Sequence, residues 1–391
     1  MLVSRVQILA HTVPSREHSN PSPSDAILTF RPQTSSCSNQ SGANLNSKPA
    51  MDRSKSPVFV MGCHRSGTNL LYDTLLSAGG FAVYRGFLPV YKILIPRFGK
   101  FDKLENRKRM MQTWLRSKGF RRSGLDADEL TEKILAECKT GGDFMRIMMD
   151  EVARRQNAQR WAVYDPDNVL HVARIKRDIP EALFVHIIRD GRDIALSLNK
   201  MDGFKPFPWD RKSKSIRQTA VYWEWMVRTG QHYGRQIPAD YIEVRYEELV
   251  SDPRRTLATL GQFFQHDLDY DRIQSAGLGR LSETNSSFRE EGPEQTATPV
   301  NRWKERLSRE DVAALEGLVG PCLRELGYDL TTPEPERRPS IRGRILRALY
   351  PELLSAKLWL KINTPVGKLA NLSALELTDQ ASSEEMLLSK D

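Results

Sequence analysis

The chain has 391 residues, of which 39% are hydrophobic and 27% charged, and its formal net charge is +9 at pH 7. This length allows one large domain or two smaller ones, and the apolar content is ordinary for a globular protein. The four cysteines show neither metal-ligand spacing nor a disulfide framework, and no apolar run is long enough to span a membrane. The positive charge favours an anionic partner without distinguishing a nucleotide from nucleic acid or lipid.

The first segment of the chain, residues 1–54, is rich in Ser, Pro, Asn and Gln. This composition predicts a disordered N-terminal extension. The first ten residues are too short and too polar for a signal peptide, so we expect a cytoplasmic protein. Met51, immediately before the first predicted strand, is a candidate alternative start of the chain.

The first ordered unit is predicted to be a strand, a glycine-bounded loop and a helix. Val58–Met61 is an apolar run typical of a buried parallel strand, Gly62 and Gly67 bound the loop, and the helix begins at Thr68. Loops of this kind hold phosphate groups through backbone N–H donors and the helix dipole. Thr68 occupies the position of the Walker A lysine, and the cation is instead Arg65 inside the loop. The pattern therefore predicts an anion site unlike that of an ATPase.

These loop residues carry a resemblance to a known family. The sequence Arg-Ser-Gly-Thr after an apolar strand resembles the 5′-phosphosulfate loop of sulfotransferases, which use 3′-phosphoadenosine 5′-phosphosulfate (PAPS) as sulfonate donor. It is most similar to the Pro-Arg-Ser-Gly-Thr-Thr loop of tyrosylprotein and related sulfotransferases, with His64 replacing the Pro and Asn69 the second Thr. The resemblance implies that five residues hold the 5′-phosphate and stabilise the charge of the transfer step: Arg65, Ser66, Gly67, Thr68 and Asn69.

The next two predicted strands, Phe81–Tyr84 and Trp161–Tyr164, lack the catalytic groups that the family places after them. Related sulfotransferases have a Glu shortly after the first of these strands and a Lys at the end of the second, and neither residue is present here. Asp165 instead follows the second strand, at a carboxyl end where ligands of open α/β sheets bind. We expect the general base to be His64 or Asp165, although Asp165 can also be a turn former and His64 can simply shape the loop. Asp167 or Asn168 is expected to cap the helix that follows.

A second motif follows the strongest predicted strand, Ala182–Ile188. This run is almost wholly apolar, so it predicts a central strand buried on both faces, with His186 as a core histidine. Arg189 follows the strand and Ser197 comes eight residues later. This spacing matches the 3′-phosphate site of sulfotransferases, and a guanidinium offers the phosphate a planar fork of donors.

Two later segments complete the predicted donor site. The last predicted strand ends at Tyr246, within a run that in sulfotransferases brings a Tyr against the adenosine of the donor. In the family a basic residue beside a Trp closes over the 3′-phosphate, which Arg302 or Lys304 would do here. A helix is then predicted between Ser308, its N-cap, and Gly327, which terminates it.

The predicted architecture is an α/β fold, a P-loop-like parallel sheet of about five strands with helices on both faces. The sulfotransferase domain is predicted to span residues 55–330, with loops at 203–214 and 277–306. Residues 331–391 are predicted to be a basic amphipathic helical appendage with a frayed acidic tail. Basic and apolar residues alternate over 337–361, a pattern equally compatible with an anionic membrane surface and with packing on the domain.

The predicted reaction is in-line transfer of a sulfonate from PAPS to an acceptor hydroxyl or amine, with no metal and no nucleic acid involved. Arg65, His64 and Asp165 are the predicted catalytic residues. The first alternative is a nucleotide-dependent P-loop-type kinase that uses Arg65 in place of the missing lysine. The second is a non-catalytic, membrane-associated protein that binds the donor but has lost its base. The acceptor is unspecified; the basic tail points to a glycolipid or another membrane-associated hydroxyl compound.

Overall fold

The computed structural model describes residues 52–201, 204, 206–207, 215–276, 300–372 and 375. Several predictions therefore fall outside the described residues. They are those for nearly all of the N-terminal extension, most of the loop predicted at 203–214, residues 277–299, and the acidic tail.

The described chain is built around a parallel sheet of five strands in the order β2-β3-β1-β4-β5. β1 and β4, at the centre, are buried along their whole length, as their continuous apolar sequences predict. The predicted α/β, P-loop-like architecture is confirmed. The strands are β1 (Val58–Gly62), β2 (Phe81–Ala82), β3 (Arg160–Tyr164), β4 (Leu183–Ile188) and β5 (Tyr241–Arg245).

Helices cover both faces of the sheet, because successive side chains of each strand point to opposite sides. Phe59 and Met61 of β1 belong to one hydrophobic core, and Val58 and Val60 belong to the other. The helices of the described chain are α1 (Thr68–Ser77), α2 (Ile95–Phe98), α3 (Leu104–Trp114), α4 (Lys118–Ser123), α5 (Ala127–Glu137), α6 (Gly141–Arg155), α7 (Val172–Asp178), α8 (Gly191–Lys200), α9 (Ile216–Gly234), α10 (Tyr246–Ser251), α11 (Pro253–Phe264), α12 (Tyr270–Ala276), α13 (Trp303–Arg306), α14 (Arg309–Glu325) and α15 (Ile341–Asn363).

The sheet order places the loop after β1 between the ends of two neighbouring strands. β1 pairs with β3 on one side and with β4 on the other, so its carboxyl end is the point where the strand order reverses. Ligands of open α/β sheets bind in the crevice at this point. His64 follows β1, Asp165 follows β3, Arg189 follows β4 and Tyr246 follows β5. The predicted site residues at strand ends therefore share one edge of the sheet.

The connection after β3 differs from the prediction. The sequence predicts Asp167 or Asn168 as the cap of a helix running to Asp178, but the cap is Asp165, whose Oδ1 accepts the backbone N–H of Asp167 at 3.0 Å. A 3₁₀ turn follows, and α7 begins only after His171. The reason is Pro166, which has no N–H and a fixed φ, and therefore favours the first position of the turn.

α15 lies against α9 through one of its faces. Tyr350 and Leu354 are buried in this contact, and Trp225 donates its indole N–H to the Ser355 hydroxyl at 3.0 Å. The Ser340 hydroxyl caps the helix by accepting the N–H of Gly343. Among the described residues, no helix combines the length and the apolarity needed to cross a membrane.

Candidate active site

The loop between β1 and α1 has a backbone that depends on Gly67. This residue has a φ of +99°, which glycine adopts without steric cost. A Cβ at this position would also lie 2.5 Å from Cδ2 of Tyr246, far inside van der Waals contact. The Tyr246 ring therefore packs directly on the loop, and the glycine is required for both reasons.

Ser66 gives this loop a polar group suited to a ligand. Its hydroxyl is buried and has no hydrogen-bond partner among the described residues. Buried hydroxyls in proteins are nearly always hydrogen-bonded, so this one fits a bound anion. Thr68, which begins α1, is also buried, whereas Asn69 is exposed on the first turn of the helix.

The two predicted phosphate motifs meet at the carboxyl ends of β1 and β4. Nε of Arg65 donates to the Ser197 hydroxyl at 3.0 Å, and Nη1 of Arg189 donates to the backbone carbonyl of Arg65 at 3.4 Å. The Arg189 guanidinium lies over the Tyr246 ring, with its Cζ 4.3 Å from the ring centre. The structure thus joins residues that the sequence separates by more than a hundred positions.

A third guanidinium completes a buried cationic cluster. Arg302 is 7% exposed, and burial lowers its pKa, as do the nearby charges of Arg306 and Arg189. Burial and then the charge of Arg189 likewise lower the pKa of Arg65. Arg189 also forms an ion pair with Asp193, whose Oδ2 lies 3.5 Å from Nη2. The charge of Arg189 thus acts on both Arg65 and Arg302, and such a group of cations suits a ligand with several negative charges.

Asp193 also holds the segment that carries Arg302. Its two carboxylate oxygens accept the backbone N–H groups of Asn301 at 3.0 Å and Trp303 at 2.9 Å. Lys304 lies elsewhere: it is exposed, and its Nζ is 5.6 Å from the centre of the Trp303 ring. Of the two basic residues predicted for the 3′-phosphate, Arg302 is therefore the one beside Arg189. Nothing in the sequence predicts this role of Asp193.

A second polar cluster lies on the other side of the loop, at the end of β3. Nε2 of His64 is 3.1 Å from Oδ1 of Asp167, and Nζ of Lys92 is 2.6 Å from Oδ2 of the same carboxylate. Lys92 comes from a π-helical turn, Val90–Leu94, and such turns are frequent at functional sites. Lys92 could not be predicted from the sequence, because residues 83–89 separate this turn from β2 and no motif marks it.

The charges in this cluster stabilise one another. Burial opposes ionisation of Asp167, but Lys92 and His64 outweigh it and hold its pKa well below the usual range. Burial also opposes the charge of Lys92, yet Asp165 and Asp167 raise its pKa overall. Burial raises the pKa of Asp165, with Lys92 acting in the opposite direction. Lys92 and Asp167 are therefore an ion pair at neutral pH.

Asp165 is poorly placed for contact with a substrate. It is 5% exposed, and its carboxylate accepts the Asp167 N–H. The cavity beside it, lined by Tyr72, Tyr84 and Tyr164, has a volume of about 10 Å³. That volume holds one water molecule at most. His64 is more accessible, with 23% of its side chain exposed.

Comparison with known proteins identifies the family to which this site belongs. A model of the sulfotransferase family matches residues 57–272, which is more than half of the chain. The chain belongs to the sulfotransferase family. Within the described residues of this sulfotransferase, no group of three or more His, Cys, Asp or Glu side chains is arranged as a metal site.

Two relatives show how far the similarity extends. This sulfotransferase is 24% identical over 293 residues to a candidate protein-tyrosine sulfotransferase of Caenorhabditis briggsae, a match covering 71% of this chain and 91% of that protein. It is 28% identical over 189 residues to the omega-hydroxy-beta-dihydromenaquinone-9 sulfotransferase Stf3 of Mycobacterium bovis, covering 45% of this chain and 44% of that protein. The sulfotransferase domain of the Synechococcus PCC 7002 olefin synthase matches with a TM-score of 0.45 and 17% identity, over 74% of this chain and 100% of that domain.

Proposed function

We propose that this sulfotransferase transfers a sulfonate group from PAPS to a hydroxyl or amine of its acceptor. The observation that carries the proposal is the contact between the two phosphate motifs, in which Arg65 bonds to Ser197 and Arg189 lies on Tyr246. The resulting site is buried, cationic and bordered by the unpartnered Ser66 hydroxyl. These properties suit a donor with two separate phosphate groups.

The donor would lie across the ends of β1, β4 and β5. The loop residues from Arg65 to Asn69 would hold the 5′-phosphate through their N–H groups and the dipole of α1. Arg189, Ser197 and Arg302 would hold the 3′-phosphate, and Tyr246 would contact the adenosine. Lys304, which lies outside the cluster, would contribute only through its charge.

In this proposal the acceptor oxygen or nitrogen forms a bond to sulfur while the bond between sulfur and the phosphate oxygen breaks. The electron pair of that broken bond leaves with adenosine 3′,5′-bisphosphate, and the acceptor proton passes to a base on the enzyme. Arg65 and the loop N–H groups stabilise the negative charge that develops on the departing phosphate.

We propose His64 as the base in preference to Asp165. Its Nε2 faces Asp167, and its Nδ1 makes no hydrogen bond to any described residue. A proton on Nε2 donated to Asp167 leaves Nδ1 as the acceptor, which is how a carboxylate orients a catalytic histidine in other enzymes. Lys92 holds Asp167 in place through an ion pair. Its ammonium group therefore lies at the end of β3, where the lysine of the family is missing.

The acceptor is proposed on weaker grounds than the donor. The names of the two relatives refer to a protein tyrosine and to a lipid quinone, so they do not select one class of acceptor. The basic, partly exposed C-terminal helix supports a membrane-associated hydroxyl compound such as a glycolipid. A cytoplasmic location is compatible with the buried free thiols of Cys63, Cys138 and Cys322.

Both alternative functions have less support. A kinase would require a cation at the β- and γ-phosphates, and Thr68 stands where the P-loop lysine would be. A protein that merely binds the donor would need no base, but His64, Asp167 and Lys92 form an oriented group beside the loop.

The proposal is tested by following radioactive sulfonate from labelled PAPS into lipid and aqueous acceptor fractions without added metal. We expect transfer by the wild type and a loss of about a hundredfold or more for Arg65→Ala, because a preorganised charge at the leaving phosphate is removed. Arg254→Ala, which changes an exposed arginine paired with Asp271, should behave as wild type. Phosphoryl transfer from Mg²⁺-ATP in the absence of any sulfonate transfer would overturn the proposal.

A further inference from the structure

The C-terminal helix and the turn after it expose an unusual amount of apolar surface. Of the ten large hydrophobic residues that are exposed in the described chain, eight lie between residues 341 and 369. Four of them recur at every fourth position of α15 and therefore follow one side of the helix. We call this surface the α15 face; its main apolar members are Ile341, Ile345, Leu349, Leu353, Trp359 and Leu360.

The α15 face cannot turn inward, because the opposite side of the helix is fixed to the domain. Tyr350 and Leu354 are buried, and Trp225 donates a hydrogen bond to Ser355. Arg347 adds an ion pair with Glu224, at 3.1 Å. The helix is thus anchored along one side and leaves its apolar side exposed.

The charge around this face selects the kind of partner that would cover it. Eight basic residues and one acidic residue, Glu352, lie between positions 337 and 369. Four of the basic side chains are exposed and form no ion pair with any described residue: Arg338, Arg342, Arg344 and Lys368. A second copy of the chain would bring an equally basic surface against this one, and the two would repel. An anionic bilayer offers both the opposite charge and an apolar interior.

We propose that the α15 face docks this protein onto membranes that contain anionic lipids. The apolar residues would enter the boundary between headgroups and acyl chains, as in other interfacial helices, and the basic residues would lie at the headgroups. Trp359, 43% exposed, is a residue type favoured at that boundary.

Membrane docking would place the candidate active site near the lipid surface. Lys361, on the last turns of α15, is half-buried, and its pKa is lowered by burial and by the charge of Lys92. The carboxylate of Asp167 acts on it in the opposite direction. Gly367, in the turn after α15, packs on Pro96, directly after the π-helical turn of Lys92, since a Cβ on this glycine would lie 2.9 Å from the Pro96 carbonyl oxygen. The end of α15 therefore lies near the segment that carries Lys92. That this brings a lipid-anchored acceptor to the base rests on the proposed function, whereas the docking itself does not.

The experiment is sedimentation of the full chain with vesicles of phosphatidylcholine mixed with phosphatidylglycerol, and with phosphatidylcholine alone. We expect the wild type to bind the mixed vesicles, and Leu349→Asp to weaken that binding at least about tenfold. Leu104→Asp, at an exposed leucine outside the α15 face, is the matched control and should bind as wild type. Arg342→Ala combined with Arg344→Ala should weaken binding about thirtyfold at low ionic strength and little in high salt.

Circular dichroism of each variant, and binding of adenosine 3′,5′-bisphosphate to the same samples, separate the outcomes. The docking proposal is overturned if the wild type is folded but sediments with neither kind of vesicle. It is equally overturned by a wild-type dimer that Leu349→Asp dissociates and that has no affinity for lipid. Vesicle binding by a chain that does not bind the bisphosphate would support docking and contradict the proposed function. Bisphosphate binding by a chain that does not bind vesicles would support the proposed function and contradict docking.

Discussion

Lys92 pairs with the carboxylate that orients the proposed base, and it forms no hydrogen bond or ion pair with the described residues of the loop between β1 and α1. Its ammonium group is 2.6 Å from Asp167, which in turn faces His64. Asp165 is buried and Asp167, two positions later, is only 14% exposed, and among the nearby cations Lys92 does most to favour the ionised form of both. Removing it would let the pair take up a proton, because two neighbouring buried carboxylates do not both ionise easily.

We therefore expect Lys92→Met to reduce kcat about a hundredfold, the usual contribution of general acid–base catalysis. The affinity for adenosine 3′,5′-bisphosphate should not change, because Lys92 lies outside the donor site. Lys92→Arg should recover part of the loss by keeping the charge. Measuring kcat together with calorimetric affinity separates this positioning role from a general structural one. A Lys92→Met enzyme with unchanged kcat would refute the role.

Residues in local motifs could be predicted from the sequence, and residues that reach the site through tertiary contacts could not. Arg65 and Ser66 lie in a strand-loop-helix pattern that is continuous in the sequence. Lys92 and Asp193 come from segments whose position depends on packing, and no local pattern marks them. The choice between Arg302 and Lys304 also needed the structure, because only the burial of Arg302 and the exposure of Lys304 show which of the two points inward.

At the level of elements, the junction between β1 and α1 combines a left-handed glycine backbone with a tight contact. Gly67 has a φ of +99°, and Tyr246, at the start of α10, packs on it. Gly79, just after the end of α1, has a similar φ of +78°, but a Cβ at this position would have no neighbouring atom within 4 Å. Alanine at Gly79 would therefore cause backbone strain alone, whereas alanine at Gly67 would cause backbone strain and also displace the Tyr246 ring.

Gly79→Ala should lower the free energy of unfolding by about 1–2 kcal/mol, the cost of a left-handed backbone for an L-residue, and leave donor binding intact. Gly67→Ala should cost more, because the Tyr246 ring must also move, and it should weaken binding of adenosine 3′,5′-bisphosphate. Chemical denaturation and calorimetry on both variants check this. Equal effects of the two substitutions on binding would show that the contact with Tyr246 does not matter.

The element boundaries show where local sequence rules succeed. Ser308 caps α14 and Gly327 follows its end with a φ of +76°, both as predicted, because capping depends on a few adjacent residues. The hydrogen bond between α8 and α14 could not be predicted from the sequence. Arg192 is 2% exposed and donates both to Asp190, the N-cap of its own helix, and to Glu316 of α14. Hydrogen bonds of this kind are set by the fold and leave no pattern in the sequence.

The stability of the whole molecule should depend on two buried histidines. Burial lowers the pKa of His186 to about 3, and burial followed by the charge of Arg174 lowers the pKa of His171 to about 3. In the unfolded chain both have a pKa of about 6.5. The unfolded chain therefore binds more protons as the pH falls below about 6.5. Their contribution to stability is complete above that pH and is lost progressively down to about 3.

Lowering the pH from about 7 to about 5 should reduce the free energy of unfolding by about 2 kcal/mol for each histidine. Denaturant titrations at the two pH values measure this change. His186→Gln should show a smaller pH-dependent loss than the wild type, whatever its stability at neutral pH. A variant that loses as much stability as the wild type would show that His186 does not carry the effect.

The overall architecture was predictable because the two central strands, β1 and β4, are buried along their length and are therefore almost continuous apolar runs in the sequence. The position of α15 was not predictable, since its residues suit both a packed helix and a membrane-bound one. The structure shows packing on one side, through Tyr350 and Leu354, and exposed apolar residues on the other. An amphipathic pattern gives the two sides of a helix but not what covers each of them.

The central claim is that the ends of β1, β4 and β5 bind the nucleotide part of PAPS. Calorimetric titration with adenosine 3′,5′-bisphosphate, without metal, tests it on the wild type, Arg189→Ala, Arg189→Lys and the exposed control Arg254→Ala. We predict tight binding by the wild type and the control, a loss of about a hundredfold in Arg189→Ala, and an intermediate affinity in Arg189→Lys, which keeps the charge but not the planar fork. Binding of Mg²⁺-ATP in place of the bisphosphate, or equal binding by Arg189→Ala and the wild type, would contradict the account.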